Sequence, residues 1–474
     1  MVRRGFISLG DPYLDKMLGR VPRGNLVLVA GSPGTGKTIF SAQVAYVNMM
    51  RGLKAAYLSL AEPKELFMQC MKGLGMNFKR MEAKGLFKFY DLASPRDPSF
   101  MERMLEETLK EVLAWRANVL VVDSLSALIQ LVGRDKARSL AHTMFSRVVR
   151  SGGITTVAVA EAPLREGAVG VEEFVADFVF FLSKREIEAR LGRQLEVVKA
   201  RGARVAHPRL LFTLHGGFKV IEPFTCKHPE EPRRFQPVEE TPRGYSTGIP
   251  DLDAVLGGYP KNGVVHFEVG ENVETSMYHV LVVPTLVNFV VKGRGLIVFP
   301  SMGVDARVVQ LSGHEYGIRG GEFDRLVRVV QLAPPHPSAE DWVVEIGGED
   351  FKEDYQRWLD TVRELQRITG SSEVTSFIGA DSLHSQYGED DMYRFLALEA
   401  LRTRVEGGLL IALTKPGLEE RVVKSVSNVA NIHLKLVRRR GALLLYGLIP
   451  RTELYAVSLD LSKGYPMPRL TPIL

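Results

Sequence analysis

The residues best equipped for chemistry lie in one unbroken run, Gly31-Ser32-Pro33-Gly34-Thr35-Gly36-Lys37-Thr38. Its glycines permit tight turns that let backbone N–H groups converge on phosphate oxygens, and a helix opening at its end adds unsatisfied donors. Lys37 would bring a concentrated positive charge to the β and γ phosphates, while the Thr38 hydroxyl would take one position around a magnesium ion. The run therefore predicts a site for ATP with Mg2+.

Two carboxylates fit the same chemistry. Asp123 follows the apolar run 118–122 and is expected to hold magnesium through water, with Ser124 beside it. Glu62 follows a second apolar run, 57–60, where a carboxylate would orient water for attack on the γ-phosphoryl group. An aspartate or glutamate after an apolar strand means little alone; behind a complete phosphate loop it has a task.

These side chains converge only if several strand ends share one edge. Residues 25–30, 55–60 and 118–122 read as apolar strands, and 37–51 and 98–117 as helices. Alternation of that kind predicts an α/β fold with a mostly parallel central sheet flanked by helices.

An internal repeat organises the chain. Residues 6–24 read FISLGDPYLDKMLGRVPRG and residues 245–263 read YSTGIPDLDAVLGGYPKNG, so that Leu-Asp and then Leu-Gly precede an apolar strand in both. The domain-sized spacing predicts tandem domains, an active 1–225 and a second at 244–474. Between them, 226–243 carries Pro229, Pro232, Pro237 and Pro242 among many charges and reads as a linker. Strands at 264–268, 295–299, 374–378 and 408–413, with helices at 353–368 and 390–404, repeat the rhythm of the first half.

The second half lacks the chemistry. Gly270-Glu-Asn-Val-Glu-Thr-Ser-Met277 stands where the phosphate loop should be, with Thr275 for the late glycine, Ser276 for the lysine and Met277 for the hydroxyl residue. Glu271 and Glu274 would repel a triphosphate, and Asp381 alone cannot replace the cradle.

Together, the opening repeat, the phosphate loop, Glu62, Val121-Val-Asp-Ser124 and Gly170-Val-Glu-Glu-Phe-Val-Ala-Asp177 resemble the KaiC-like branch of the RecA superfamily. The resemblance covers most of the first half and, more weakly, the second. It implies tandem RecA-like domains, a homo-oligomeric ring with a hexamer among its forms, and ATP hydrolysis between neighbouring subunits. It further implies that Lys199 and Arg201 act on the neighbour's triphosphate, and it matches Glu161 to a recurrent acid without assigning that acid a step. Where the family commonly has two adjacent glutamates, this chain has Ala61-Glu62, which implies slow turnover. Residues 444–449 offer no second basic pair, leaving assembly, regulation or partner binding to the second half.

Composition narrows the classes. Hydrophobic residues at 45% and charged residues at 24% describe a folded chain, not a disordered one. Two cysteines supply neither a disulfide framework nor a multi-cysteine zinc site. No apolar stretch is long enough to form a transmembrane segment, and no secretion signal is evident, so a cytoplasmic location is expected. The leading expectation is an ATP-driven assembly or regulatory switch with an unidentified protein partner. One alternative is ATP-regulated binding of single-stranded DNA, for which Lys435, Arg438, Arg439 and Arg440 and the net charge of +6 supply a footprint. Another is an ATP-binding scaffold with negligible turnover.

Overall fold

The computed structural model describes residues 5–19, 21–92, 98–132, 152–161, 176–242, 244–333 and 338–474. The chain divides into two compact units, Met1–Glu222 with Pro472–Leu474, and Pro223–Thr471. Both are α/β, each with a mostly parallel central block flanked by helices.

Unit 1 is built on nine strands among the described residues: β1 (Leu26–Gly31), β2 (Ala55–Ser59), β3 (Phe87–Asp91), β4 (Val119–Asp123), β5 (Thr155–Glu161), β6 (Phe178–Ile187), β7 (Arg190–Ala200), β8 (Arg209–Thr213) and β9 (Lys219–Val220). They lie in the order β9-β8-β7-β6-β1-β5-β4-β2-β3, parallel from β6 to β3 and antiparallel from β6 to β9. The central strands are apolar on both faces because helices cover both. Val27 and Val29 of β1 enter one core and Leu26 and Leu28 the other; Val119 and Val121 of β4 likewise oppose Leu120 and Val122. Two-residue side-chain alternation thus locks strand register, and register brings Gly31, Ser59 and Asp123 to one edge.

The large sheet of unit 2 has ten strands among the described residues: β10 (Gly263–Val269), β11 (Gly295–Phe299), β12 (Val327–Leu332), β13 (Val343–Ile346), β14 (Val374–Gly379), β15 (Leu409–Thr414), β16 (Ile432–Arg439), β17 (Ala442–Ile449), β18 (Tyr455–Asp460) and β19 (Met467–Pro472). Their order is β13-β12-β11-β14-β15-β10-β16-β17-β18-β19. As in unit 1, the strand after the loop-bearing strand lies between a parallel block and an antiparallel extension. The helix expected at 390–404 belongs to a longer span, Ala380–Glu406, bent where Gly388 takes φ 78°.

The repeated opening motif is one structure made twice. Asp15 accepts from the Leu9 backbone N–H at 2.7 Å and from the Ser8 hydroxyl, and Asp253 accepts from the Thr247 N–H at 2.7 Å and from the Ser246 hydroxyl. A two-stranded ribbon flanks each, Phe6–Ile7 with Val21–Pro22 and Gly244–Tyr245 with Tyr259–Pro260. The aspartate in Leu-Asp therefore fixes the turn that delivers the chain into β1 or β10.

The stretch 226–243, read as a linker from its prolines, is held against unit 2 over its described length. Phe235 is buried against Tyr465, with ring centroids 5.0 Å apart, and the Val238 N–H donates to Asn288 Oδ1 at 2.9 Å. Arg234 grips Glu322 with two hydrogen bonds, of 2.7 and 2.8 Å. Its prolines shape an extended path whose apolar and hydrogen-bonding residues find partners. No helix among the described residues is long and apolar enough to cross a membrane.

Asp15→Ala and Asp253→Ala should each destabilise their own unit by about 1–3 kcal/mol, because buried donors lose their acceptor. Urea unfolding checks this; midpoints equal to that of the parent would show that the aspartates do not hold these turns.

Candidate functional site

The loop after β1 reaches the first turn of helix α1 (Lys37–Met50) along a path only glycine can take at critical points. Gly31 has φ 152°, and a Cβ there would stand 2.2 Å from the Leu182 carbonyl oxygen. Gly34 has φ 71° and lies under the Lys184 ammonium, 3.1 Å from where its Cβ would be. The exposed Pro33 caps the loop's outer bend, and Thr35 Oγ1 donates to the Ser32 carbonyl at 2.8 Å. Lys37 folds back into this ring, donating to the Gly31 and Ser32 carbonyls, both at 2.9 Å. A phosphate arriving there would exchange these two carbonyl acceptors for its own oxygens.

Thr38 Oγ1 donates to Asp123 Oδ2 at 2.8 Å, and the buried Tyr57 hydroxyl donates to the same oxygen at 2.8 Å. Glu62 is set by a tight turn in which Ser59 Oγ donates to the Glu62 carbonyl at 2.6 Å and accepts from its N–H at 3.0 Å. Because Ser59 pairs with Asp123 across β2 and β4, the two carboxylates share one strand-end edge.

The charges there are poorly compensated. Burial raises the pKa of Asp123, against the hydrogen bonds from Thr38 and Tyr57 and the charge of Lys37. Burial also raises that of Glu62, and Asp123 adds to the rise. Lys37 is pulled down by burial and held up by Glu161 and Asp123. The Lys37 ammonium thus faces Asp123 and Glu161, and Glu62 is coupled to Asp123, an environment that a divalent cation would relieve. Thr38 and Asp123 fit a magnesium ion by chemistry and by proximity.

The KaiC ATPase family profile matches residues 7–223, and a profile described as GvpD basic region 2 matches residues 234–309. A UPF0273 protein of Thermotoga maritima is 32% identical over 219 residues, covering 43% of this chain and 88% of that protein. This chain belongs to the KaiC-like ATPases. Protein GvpD2 of Halobacterium salinarum is 27% identical over 94% of this chain and 93% of its own length, so that likeness runs through both units. A solved KaiC-like protein from Pyrococcus horikoshii OT3 aligns with a TM-score of 0.41 at 26% identity, over 46% of this chain and 99% of that one.

Not every expected residue of the KaiC-like unit lies at this cluster. Lys199 pairs with Val179, and Arg201 bonds Asp177, whose own N–H donates to the Leu26 carbonyl at the start of β1. Arg201 thus lies five strand residues short of Gly31, roughly 16 Å at ~3.3 Å per residue, and Lys199, level with Leu28 through Val179, lies three residues short, roughly 10 Å. Residues Gly170–Val175 of the quoted motif lie outside the described residues.

Two basic residues absent from the sequence expectations do stand at the loop. Lys184 and Arg193 pair across β6 and β7 just beyond the level of Gly31. Arg193 donates to the Gly34 carbonyl at 3.2 Å and to the Leu474 carbonyl at 2.6 Å. Their signal was available only as position: two residues past the strand segment that registers with Gly31. Tyr57, read as an apolar strand residue, was missed for the same reason.

In unit 2 the acid at the equivalent strand end has partners of its own. Asp381 accepts from Ser301 Oγ at 3.1 Å and from the Met302 N–H at 3.0 Å, and the Lys415 ammonium lies 3.8 Å from the same oxygen. Glu274 of the altered loop pairs with Arg438 at 3.3 Å. Of the basic run considered for DNA, Lys435 is paired with Glu268 at 2.6 Å and Arg438 with Glu274, which shrinks the free footprint.

Asp123→Asn tests the electrostatics. A carboxylate whose folded pKa is raised gives its full stability below its unfolded value, near pH 4, and loses it as pH rises through the folded value. Without nucleotide, the variant should exceed the parent in unit 1 stability at pH 7, and the gap should close as pH falls toward 4. A parent more stable than the variant at pH 7 would contradict the charge balance described.

Proposed function

We propose that unit 1 binds ATP with magnesium and hydrolyses it slowly at an interface between copies of this chain, and that unit 2 turns the nucleotide state into assembly or partner regulation. The observation that carries the proposal is the convergence of Lys37, Thr38, Asp123 and Glu62 on one strand-end edge beside a glycine-shaped phosphate loop.

The loop N–H groups and the start of α1 receive the phosphates, and Lys37 turns from the Gly31 and Ser32 carbonyls to the β and γ oxygens. Thr38 and Asp123 would hold magnesium, which when bound would neutralise phosphate charge. Glu62 orients a water. As the water oxygen bonds to the γ phosphorus, the bond to the bridging oxygen breaks, leaving ADP and inorganic phosphate, and the water's proton passes to Glu62 or to solvent. The raised Glu62 pKa makes it a better proton acceptor than an exposed glutamate. Ala61, in place of a second carboxylate, supports slow turnover.

Arg201 is bonded to Asp177 at the opposite end of the strand from the loop, and Lys199 lies two residues before it on the same strand, placements that support a role on the neighbour's triphosphate. The homo-oligomer, a hexamer among its forms, is part of this reading, as is a cytoplasmic setting. The regulatory partner is a protein; the pairing of Lys435 and Arg438 disfavours the DNA alternative.

Glu62→Gln should keep ATP affinity and lower single-turnover hydrolysis by roughly 10²-fold or more. Mixing a Lys199→Ala/Arg201→Ala double variant with Lys37→Ala protein, under subunit exchange, should restore activity absent from either alone. Mixed assemblies without restored activity, or a fully active monomeric double variant, would rule out the shared site.

A further inference from the structure

Unit 2 contains two adjoining cavities that border the altered loop, the larger reaching Thr275 and Ser276 and the smaller Ser301. Helix α2 (Thr275–Val291) is apolar nearly all round and packs beside helix α3 (Ala306–His314). Between them lies a void of about 60 Å³ walled by Val282, Leu286, Val290, Leu296 and Phe323. A second cavity, of about 290 Å³, opens at the first turn of α2 and is bounded by Cys226, Lys227, Ser276, Leu311 and Tyr316. His279, Val283 and Ser312 line both, so the greasy void and the polar vestibule meet at one wall.

The vestibule's charges are mostly answered. Glu315 is hydrogen-bonded to His228 at 2.9 Å, and the nearby Glu274 is paired with Arg438. Burial lowers the His279 pKa to about 4, so its imidazole is neutral at the junction, and burial raises that of the Cys226 thiol. Lys227, on the exposed rim, has no ion-pair partner among the described residues.

We propose that these cavities form a binding site for a small amphiphile, an aliphatic chain that ends in a carboxylate. The end of the chain reaches past Val283 into the apolar void, which admits about two carbons, and the rest of the chain and the carboxylate stay in the vestibule with Lys227 and Ser276. A dry apolar void accepts an apolar ligand without displacing bonded water, and a vestibule near the lower end of the ~300–1,000 Å³ range of ligand pockets sets a small size. An aliphatic carboxylate satisfies both halves; a nucleotide does not, because nothing in the void could bond its base or phosphates. The site is independent of the phosphate loop in unit 1, so its failure would leave the ATPase reading intact.

The test uses the full chain with octanoate, 1-octanol and acetate below micellar concentrations. Calorimetry should give one octanoate per chain, and hydrogen exchange should slow in α2 and α3 on its addition, while acetate does neither. Lys227→Gln, at an exposed position, should weaken octanoate by roughly tenfold and leave octanol unchanged. Val283→Trp should abolish binding of both; if that variant fails to fold, the exchange data and Lys227→Gln decide. Octanoate binding at several equivalents per chain, no protection of α2 and α3, or octanoate affinity unchanged in Lys227→Gln would overturn the proposal.

Discussion

The site in unit 1 depends on the hydrogen bond from Thr38 to Asp123. It ties the first turn of α1 to the end of β4, two elements brought together by sheet register. Once that bond exists, Lys37 projects into the loop, Tyr57 closes the inner side of the carboxylate, and Glu62 stands one strand away. The arrangement gathers negative charge in a buried setting, which lowers the stability of the nucleotide-free fold and readies it for cations. Structures commonly give up stability at such a place for function.

The two units show what happens when that constraint is lifted. Both keep the aspartate-fixed turn of the opening motif, and both keep a central parallel block extended by antiparallel strands. Without a loop lysine, unit 2 meets the charge of Asp381 with Ser301, the Met302 N–H and Lys415. There a lysine stands near one carboxylate oxygen, whereas the equivalent carboxylate of unit 1 faces a hydroxyl, a phenol and a lysine shared with a second acid. The fold is retained because its core is made by strand faces rather than by the loop.

How much was legible in the sequence follows from the same distinction. The phosphate loop is contiguous, so its eight residues announced themselves, and Asp123 and Glu62 were visible as acids closing apolar runs. The strands at 295–299 and 374–378 were plain because buried strands are short apolar runs with turn signals at their ends. Lys184, Arg193 and Tyr57 were hidden because their relation to the loop is made by pairing between distant strands. The proline-rich stretch 226–243 looked like a free connection because composition does not reveal that Phe235 finds a buried place between aromatic rings. Lys199 and Arg201 gained meaning from family likeness and from distance along the sheet, since nothing in their spelling separates them from an ordinary basic strand edge.

The central claim is that one chain carries one live nucleotide site and one closed one. Calorimetric titration of the full chain with magnesium and a non-hydrolysable ATP analogue measures this directly. The account predicts one analogue bound per chain and none in Lys37→Ala; two bound per chain, or one still bound by Lys37→Ala, would contradict it.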